Sequence, residues 1–170
     1  MTPRRLRAAI RVRTPLHEGF LRVYRYEFDV EKHGGGIKRT SWEVMERGNA
    51  VAVLGHDPGR DEVVLGNEFR PGAIVAGDYP YRDNLVAGGI EKNETALEAA
   101  VREMKEEAGL VLNDPVLIHP GAYVRSGGTS EKIAIVYGTV DTGHAGGVHG
   151  NAAEHEDILT PVLMPLPSVI

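Results

Sequence analysis

The stretch Gly88 to Leu110, "GGIEKNETALEAAVREMKEEAGL", constrains this chain more than any other, because it fixes both ends of a helix and crowds like charges inside it. Thr95 with Glu98 forms a capping box, the hydroxyl accepting from the first turn and the glutamate reaching back. Gly109, followed by apolar Leu110, fits the left-handed residue that ends a helix. The spacing predicts a helix over 96–108. Leu97, Ala100, Val101, Met104 and Ala108 recur as one buried stripe, and Glu103, Glu106 and Glu107 are expected to project from a different face. Their repulsion costs only about 0.2 to 0.5 kcal/mol per pair, which a solvated acidic face tolerates. Yet acids complement a helix at its N-terminus, and these sit in the last turns, where cations are preferred. Three carboxylates from one face suit a hard divalent cation such as Mg²⁺, which takes oxygen ligands and keeps part of its water.

Around this helix the pattern is that of a sheet. The N-terminal run is Arg-rich and acid-poor like a transit peptide. However, Leu6, Ala8, Ile10 and Val12 alternate with arginines, the period of a half-buried strand, and the strand is the favoured reading. "FLRVYRYEFDV" and "NAVAVLGHD" carry the β-branched and aromatic enrichment of strands. "DPGRD" is turn chemistry, with "EVVLGNEFR" as the return strand of a hairpin. "RPGAIVAGDYPYRD" reads as a surface loop of functional length. Further strands are expected at "PVLIHP", "KIAIVYGTVD" and "ILTPVLMPL", and the Gly-rich segment from Thr142 to Asp157 reads as a loop ending in an acidic cluster. At 170 residues the chain has the length of a single domain, and no internal repeat is visible.

Composition narrows the chemistry. With no cysteine, disulfides, thiolate metal sites and cysteine nucleophiles are excluded, so any metal must sit on oxygen or imidazole. No two histidines stand four apart on a helix, and Mg²⁺ prefers oxygen, so the histidines are read as non-ligands. Beyond the five N-terminal arginines, 14 basic residues face 24 acidic ones, which disfavours nucleic acid as a partner. No apolar run reaches the roughly 18 residues that span a bilayer, so a soluble, cytoplasmic protein with no membrane partner is expected.

The spacing of Gly88, Glu94, Arg102, Glu103, Met104, Glu106, Glu107, Gly109 and Leu110 matches every defined position of the Nudix hydrolase signature. Chance would produce such a match in a chain like this about once in a million times. The resemblance extends over roughly residues 14–166. It is closest to ADP-ribose pyrophosphatases, through "GNEFRPGA", "VAGGIEKNET", "SGGTSEKIAIVYGTVD" and "GGVHGNAAEHEDI". It implies an α+β Nudix fold, a mixed sheet sandwiched between helices (α/β/α), with an N-terminal antiparallel sheet region. It also implies a division into residues 1–48, a β-rich segment for dimerisation and substrate contacts, and 49–170, the hydrolase domain.

By the same resemblance, Glu103, Glu106 and Glu107 hold Mg²⁺ (or Mn²⁺), joined by the Ala87 carbonyl and by Glu156, while Glu94 and Arg102 form a structural pair. Glu154 matches the general base for the attacking water, and Glu107 is the second residue expected to carry catalysis. Arg70, Ser126, Gly127, Gly128 and Glu131 match substrate contacts, and Glu43 and Arg47 match positions that hold the adenosine end, often from the partner of a homodimer. Trp42 departs from the arginine common there and is expected to stack on adenine. From composition alone, "AEHED" would be a solvated loop, Gly127–Gly128 a turn, and Trp42 a core or interface residue. The implied activity is metal-assisted hydrolysis of ADP-ribose, a nucleoside diphosphate sugar, to AMP and ribose 5-phosphate. The alternatives are a hydrolase of another such sugar, for instance GDP-mannose, and a non-hydrolytic nucleotide sensor.

Overall fold

The computed structural model describes residues 5–145 and 160–165. It divides into two compact units, Met1–Gly48 with Tyr123–Glu131, and Asn49–Ala122 with Lys132–Ile170.

In the first unit, β1 (Ala8–Glu18), β2 (Arg22–Glu31) and β3 (Ile37–Glu46) form an antiparallel sheet in that order. The register gives its two faces different chemistry. Tyr24, Tyr26 and Phe28 stand opposite Val44, Trp42 and Thr40, and the Tyr26 and Phe28 rings stack with centroids 5.8 Å apart. Arg13 lies 3.4 Å over the Tyr24 ring and 3.0 Å from Glu46. On the other face of β2, Arg25 pairs with Glu43 at 3.1 Å and Asp29 with Arg11 at 2.8 Å. Strand β1 forms where the alternation predicts, but it is not half-buried, because every residue in it is exposed. It is an edge strand, and irregularities at Ile10/Val12 and Pro15/His17 shift its pairing, so no single face stays turned inward. Strand β3 escaped the sequence reading because its polar and apolar residues do not alternate.

The second unit holds a six-stranded mixed sheet in the order β7-β8-β4-β6-β5-β9. Its strands are β4 (Ala50–Asp57), β5 (Glu62–Phe69), β6 (Tyr81–Gly89), β7 (Asn113–Tyr123), β8 (Lys132–Thr139) and β9 (Thr160–Pro165), with β4 and β8 parallel. Strand β6 changes partner midway, pairing with β5 from Tyr81 to Leu85 and with β4 from Val86 to Gly89. Strand β7 runs through Pro115 and Pro120, which an edge strand accommodates because one side of its backbone has no ladder to feed. The segment expected to be a loop, residues 70–83, instead contains the short helix α1 (Pro71–Val75) and the start of β6. Pro71 opens α1 with its φ already helical, and the amides of Ala76 and Gly77 return to Gly72 and Ile74. Helix α2 (Ala96–Ala108) covers the sheet, and Ala99, Ala100, Met104 and Ala108 pack against Val51, Val53, Val86 and Val136.

Burial alternates along β4, so Val51, Val53, Gly55 and Asp57 all face inward. A carboxylate in that position requires donors, since burying it unpaired is costly. Asp57 receives them from the Gly59 and Arg60 amides, from Arg60 Nη1 at 2.7 Å, and from both the amide and the hydroxyl of Thr142, at 2.9 and 2.8 Å. The hydrogen bonds from Thr142, foremost among these donors, hold the Asp57 carboxyl well below the usual carboxylate range. A carboxyl depressed in the folded state adds stability above its unfolded pKa, about 3.9, and loses it as the pH falls through its folded value. Asp57→Asn should therefore lower the melting temperature at neutral pH, with the difference shrinking below about pH 4. Thermal denaturation across pH reads this, and a difference independent of pH would contradict it.

Candidate active site

Helix α2 begins and ends as its caps dictate. Thr95 Oγ1 accepts from the Glu98 amide at 3.2 Å, and the Glu98 carboxylate accepts from the Thr95 amide at 2.8 Å. Gly109 closes the helix at φ 69, a left-handed conformation that glycine adopts without a Cβ clash. The face the helix buries differs from the expectation. Val101 is exposed, and the buried positions are Ala99, Ala100, Glu103, Met104, Glu107 and Ala108. Glu103 and Glu107, 5% and 6% exposed, thus lie on the packed side and not on a separate acidic face, and of the three glutamates Glu106 alone is exposed.

Small alanines bring α2 close to β6, and the two buried glutamates fill the gap. Glu107 Oε2 accepts from the Ala87 amide at 3.1 Å. A Cβ on Gly88 would run into the Glu103 carboxylate, so a larger residue there would force that carboxylate to move. Arg102 binds the remaining charge. It clasps Glu94 through two bonds of 2.9 and 3.0 Å, reaches Glu103 at 2.7 Å and Glu106 at 3.0 Å, and donates to the Gly89 carbonyl at 2.9 Å. These bonds, Glu94 foremost, raise the Arg102 pKa further and lower that of Glu94, so both remain ionised. Glu103 and Glu107, from the C-terminal half of α2, lie against Gly88 and Ala87 near the end of β6, and Glu106 is joined to Glu103 through Arg102. With Arg102 on Glu103 and Glu106, no three acidic or imidazole side chains among the described residues are gathered at metal-holding distances. The donor set is still what a hard cation requires: carboxylates and a backbone carbonyl, with a glycine cradle behind one of them.

The other residues singled out in the sequence fall into two groups. In the second unit, Arg70 caps α1, its amide donates to the Pro80 carbonyl at 2.7 Å, and its guanidinium pairs with Glu68. In the first unit, Trp42, Ser126 and Gly127 line one cavity of about 280 Å³ together with Phe28 and Val44. The loop carrying Ser126–Gly128 is pinned to β3, because Met45 donates to the Gly128 carbonyl at 2.9 Å and accepts from the Ser130 amide at 3.1 Å. The Glu131 amide, at the end of the same loop, donates to Thr129 Oγ1 at 3.1 Å. Glu43 is not in this cavity. As the neighbour of Trp42 on a strand it points to the opposite, charged face, where it pairs with Arg25. Arg47 packs its guanidinium 5.5 Å from the Phe20 ring centroid. Glu154 and Glu156 lie outside the described residues. Sequence reasoning missed Phe28 and Val44. The alternation Tyr24, Tyr26, Phe28 signals a shared face, but only the β2–β3 register shows that it is Trp42's face.

If Glu103 is a metal ligand, Gly88→Ala should weaken Mn²⁺ binding by about tenfold or more, as displacing a ligand's support does. Titration followed by electron paramagnetic resonance measures this, and equal affinities would remove Glu103 from the ligand set.

Comparison with known proteins identifies the family. The NUDIX domain family matches residues 46–163. The ADP-ribose pyrophosphatase of Escherichia coli (strain K12) is 39% identical over 155 residues, covering 89% of this chain and 72% of that protein. The ADP-ribose pyrophosphatase of Haemophilus influenzae is 35% identical over 153 residues, covering 87% and 70%. The GDP-mannose pyrophosphatase of Pectobacterium atrosepticum is 25% identical over 136 residues, covering 80% and 69%. A crystal structure described as an ADP compounds hydrolase superposes with a TM-score of 0.70 at 23% identity, over 97% of this chain and 82% of that one, and so shares the fold. With its signature helix, its glycine cradle and a family match over most of its length, the chain belongs to the NUDIX domain family.

Proposed function

We propose that this protein hydrolyses ADP-ribose to AMP and ribose 5-phosphate with Mg²⁺ as its cofactor and Mn²⁺ as a substitute. The observation that carries the reading is the pair of buried glutamates of α2 packed against β6, Glu103 beside Gly88 and Glu107 bonded to the Ala87 amide. The identity to ADP-ribose pyrophosphatases, higher than to GDP-mannose pyrophosphatases, supports the choice of substrate.

The division of labour follows from charge and position. Ala87, Glu103, Glu106, Glu107 and Glu156 would hold the cation, which when bound would neutralise the diphosphate and stabilise charge on the leaving oxygen. Arg102 bridges Glu103 and Glu106 and so holds them close together before the cation arrives, and its grip on Glu94 fixes its own position. Arg70 binds the diphosphate through its guanidinium fork. Glu154 takes the proton from the attacking water as one P–O bond of the diphosphate bridge breaks. Trp42, with Phe28 and Val44, offers the adenine an aromatic wall beside Ser126 and Gly127. Gly128 and Glu131 complete that loop's contacts with the substrate.

The protein is a homodimer through its N-terminal segment. Ile10, Val12 and Leu16 on β1 are each more than two-fifths exposed, an apolar edge strand of the kind that a second chain covers. Glu43, turned away from the Trp42 face, and Arg47, beside Phe20, would then be available to a site on the partner.

A panel of ADP-ribose, GDP-mannose, NADH and diadenosine polyphosphates, incubated with Mg²⁺ and analysed for products, tests the substrate. Fastest turnover is expected with ADP-ribose, faster turnover of GDP-mannose would move the assignment to that sugar, and no turnover at all would favour a sensor. On the same substrate, Glu107→Gln and Glu154→Gln should each lose about a hundredfold in kcat, whereas Trp42→Ala should raise KM. Near-normal rates in Glu154→Gln would move the base to another residue. Sedimentation equilibrium should give twice the monomer mass, and a monomer would refute the dimer.

A further inference from the structure

The end of β5 carries an acid that the hydrolytic chemistry does not use. Glu68 and Arg70 lie two residues apart on the same side of the chain, and their side chains form an ion pair. The Arg70 backbone is fixed, its amide held by Pro80 and its carbonyl leading into α1, so the guanidinium is the part free to change partner. Glu68 is the more enclosed of the two, 22% against 44% exposed, and Asn84 Nδ2 lies 3.4 Å from it. Burial pushes the Glu68 carboxyl above the ordinary range, and Arg70 opposes the shift, so the charge on Glu68 leans on this arginine. Directly across the ladder from Glu68 stands Arg82, which is engaged with Asp78 at 3.6 Å.

An arginine that is to bind a diphosphate here must first leave a carboxylate. We propose that Glu68 is a built-in competitor for Arg70, holding the guanidinium until a diphosphate displaces it and thereby setting the affinity of the site for that anion. This rests on the reading of Arg70 as a diphosphate ligand. The geometry gives Glu68 a second partner at low cost. Once Arg70 turns to the anion, Arg82, its cross-strand neighbour, is within reach of the released carboxylate. Glu68 is a positioning residue acting through Arg70, and its consequence is selectivity. A ligand with a single weak negative charge does not repay the exchange, whereas a diphosphate, which can accept both arms of the guanidinium, does.

A double-mutant cycle on the full chain separates the two ideas. The probe is methylenediphosphonate, a non-hydrolysable diphosphate, titrated calorimetrically with Mg²⁺ present. Arg70→Ala should weaken binding by about tenfold, the loss of a charge-assisted contact. Glu68→Gln, which keeps the shape and removes the charge, should tighten binding by about fivefold, the scale of a partly exposed ion pair. In the Arg70→Ala background the second substitution should change nothing beyond error. If wild-type protein does not bind the probe, or Arg70→Ala binds it normally, the reading of Arg70 fails and the inference falls with it. If Arg70→Ala weakens binding but Glu68→Gln does not tighten it, or tightens it equally without Arg70, the inference alone is overturned.

Discussion

The acidic end of α2 depends on one guanidinium. Arg102 touches three glutamates of different burial and anchors itself on Glu94 and the Gly89 carbonyl, so that charges which would repel in isolation form a network with a cation at its centre. Burying a carboxylate without such compensation costs several kcal/mol, far more than the few tenths that separate like charges on an open helix. Arginine suits the task because its planar fork serves several acceptors at once and does not lose its proton, whereas a lysine would offer a single point charge. On the proposed reading, a metal would have to take Glu103 and Glu106 over from a cation already there.

The helix that carries the candidate site was legible in the sequence, and the part that was not has a physical explanation. Thr95, Glu98 and Gly109 mark the ends of α2 through backbone chemistry that needs no tertiary context, and the structure begins and ends the helix there. Which side of the helix packs was harder to read. A count of hydrophobicity favours Val101, yet Ala99 is buried in its place, because close approach to the sheet rewards a small side chain more than a large one. That substitution turns the helix enough to carry Glu103 and Glu107 inward. Strands β3 and β6 left little trace for a similar reason: their positions are fixed by the neighbours they pair with, and "IKRTSWEVME" and "YRDNLVAGG" have no apolar alternation of their own.

Register, which sequence does not supply, also separates residues that look contiguous. Trp42 and Glu43 are adjacent in the chain, but the sheet turns one toward Tyr26, Phe28 and the Ser126 loop and the other toward Arg25. A strand with two dissimilar faces serves two environments at once. The aromatic face carries stacked rings, and the charged face is held by ion pairs that salt weakens.

Strand β6 pairs with β5 on one half and with β4 on the other, and at its second half it presents Ala87 to Glu107 and Gly88 to Glu103. Sliding that strand so that Ala87 took the place of Gly88 would bring its methyl against the Glu103 carboxylate, and a slip of one residue in either direction would turn every backbone group of the segment to the other side of the ladder. The segment from Leu85 to Gly89 therefore behaves as a fixed ruler between sheet and helix. Evolution can rewrite its neighbours and lengthen the loops around it, but an insertion or deletion within these few residues changes spacing and chemistry in a single step.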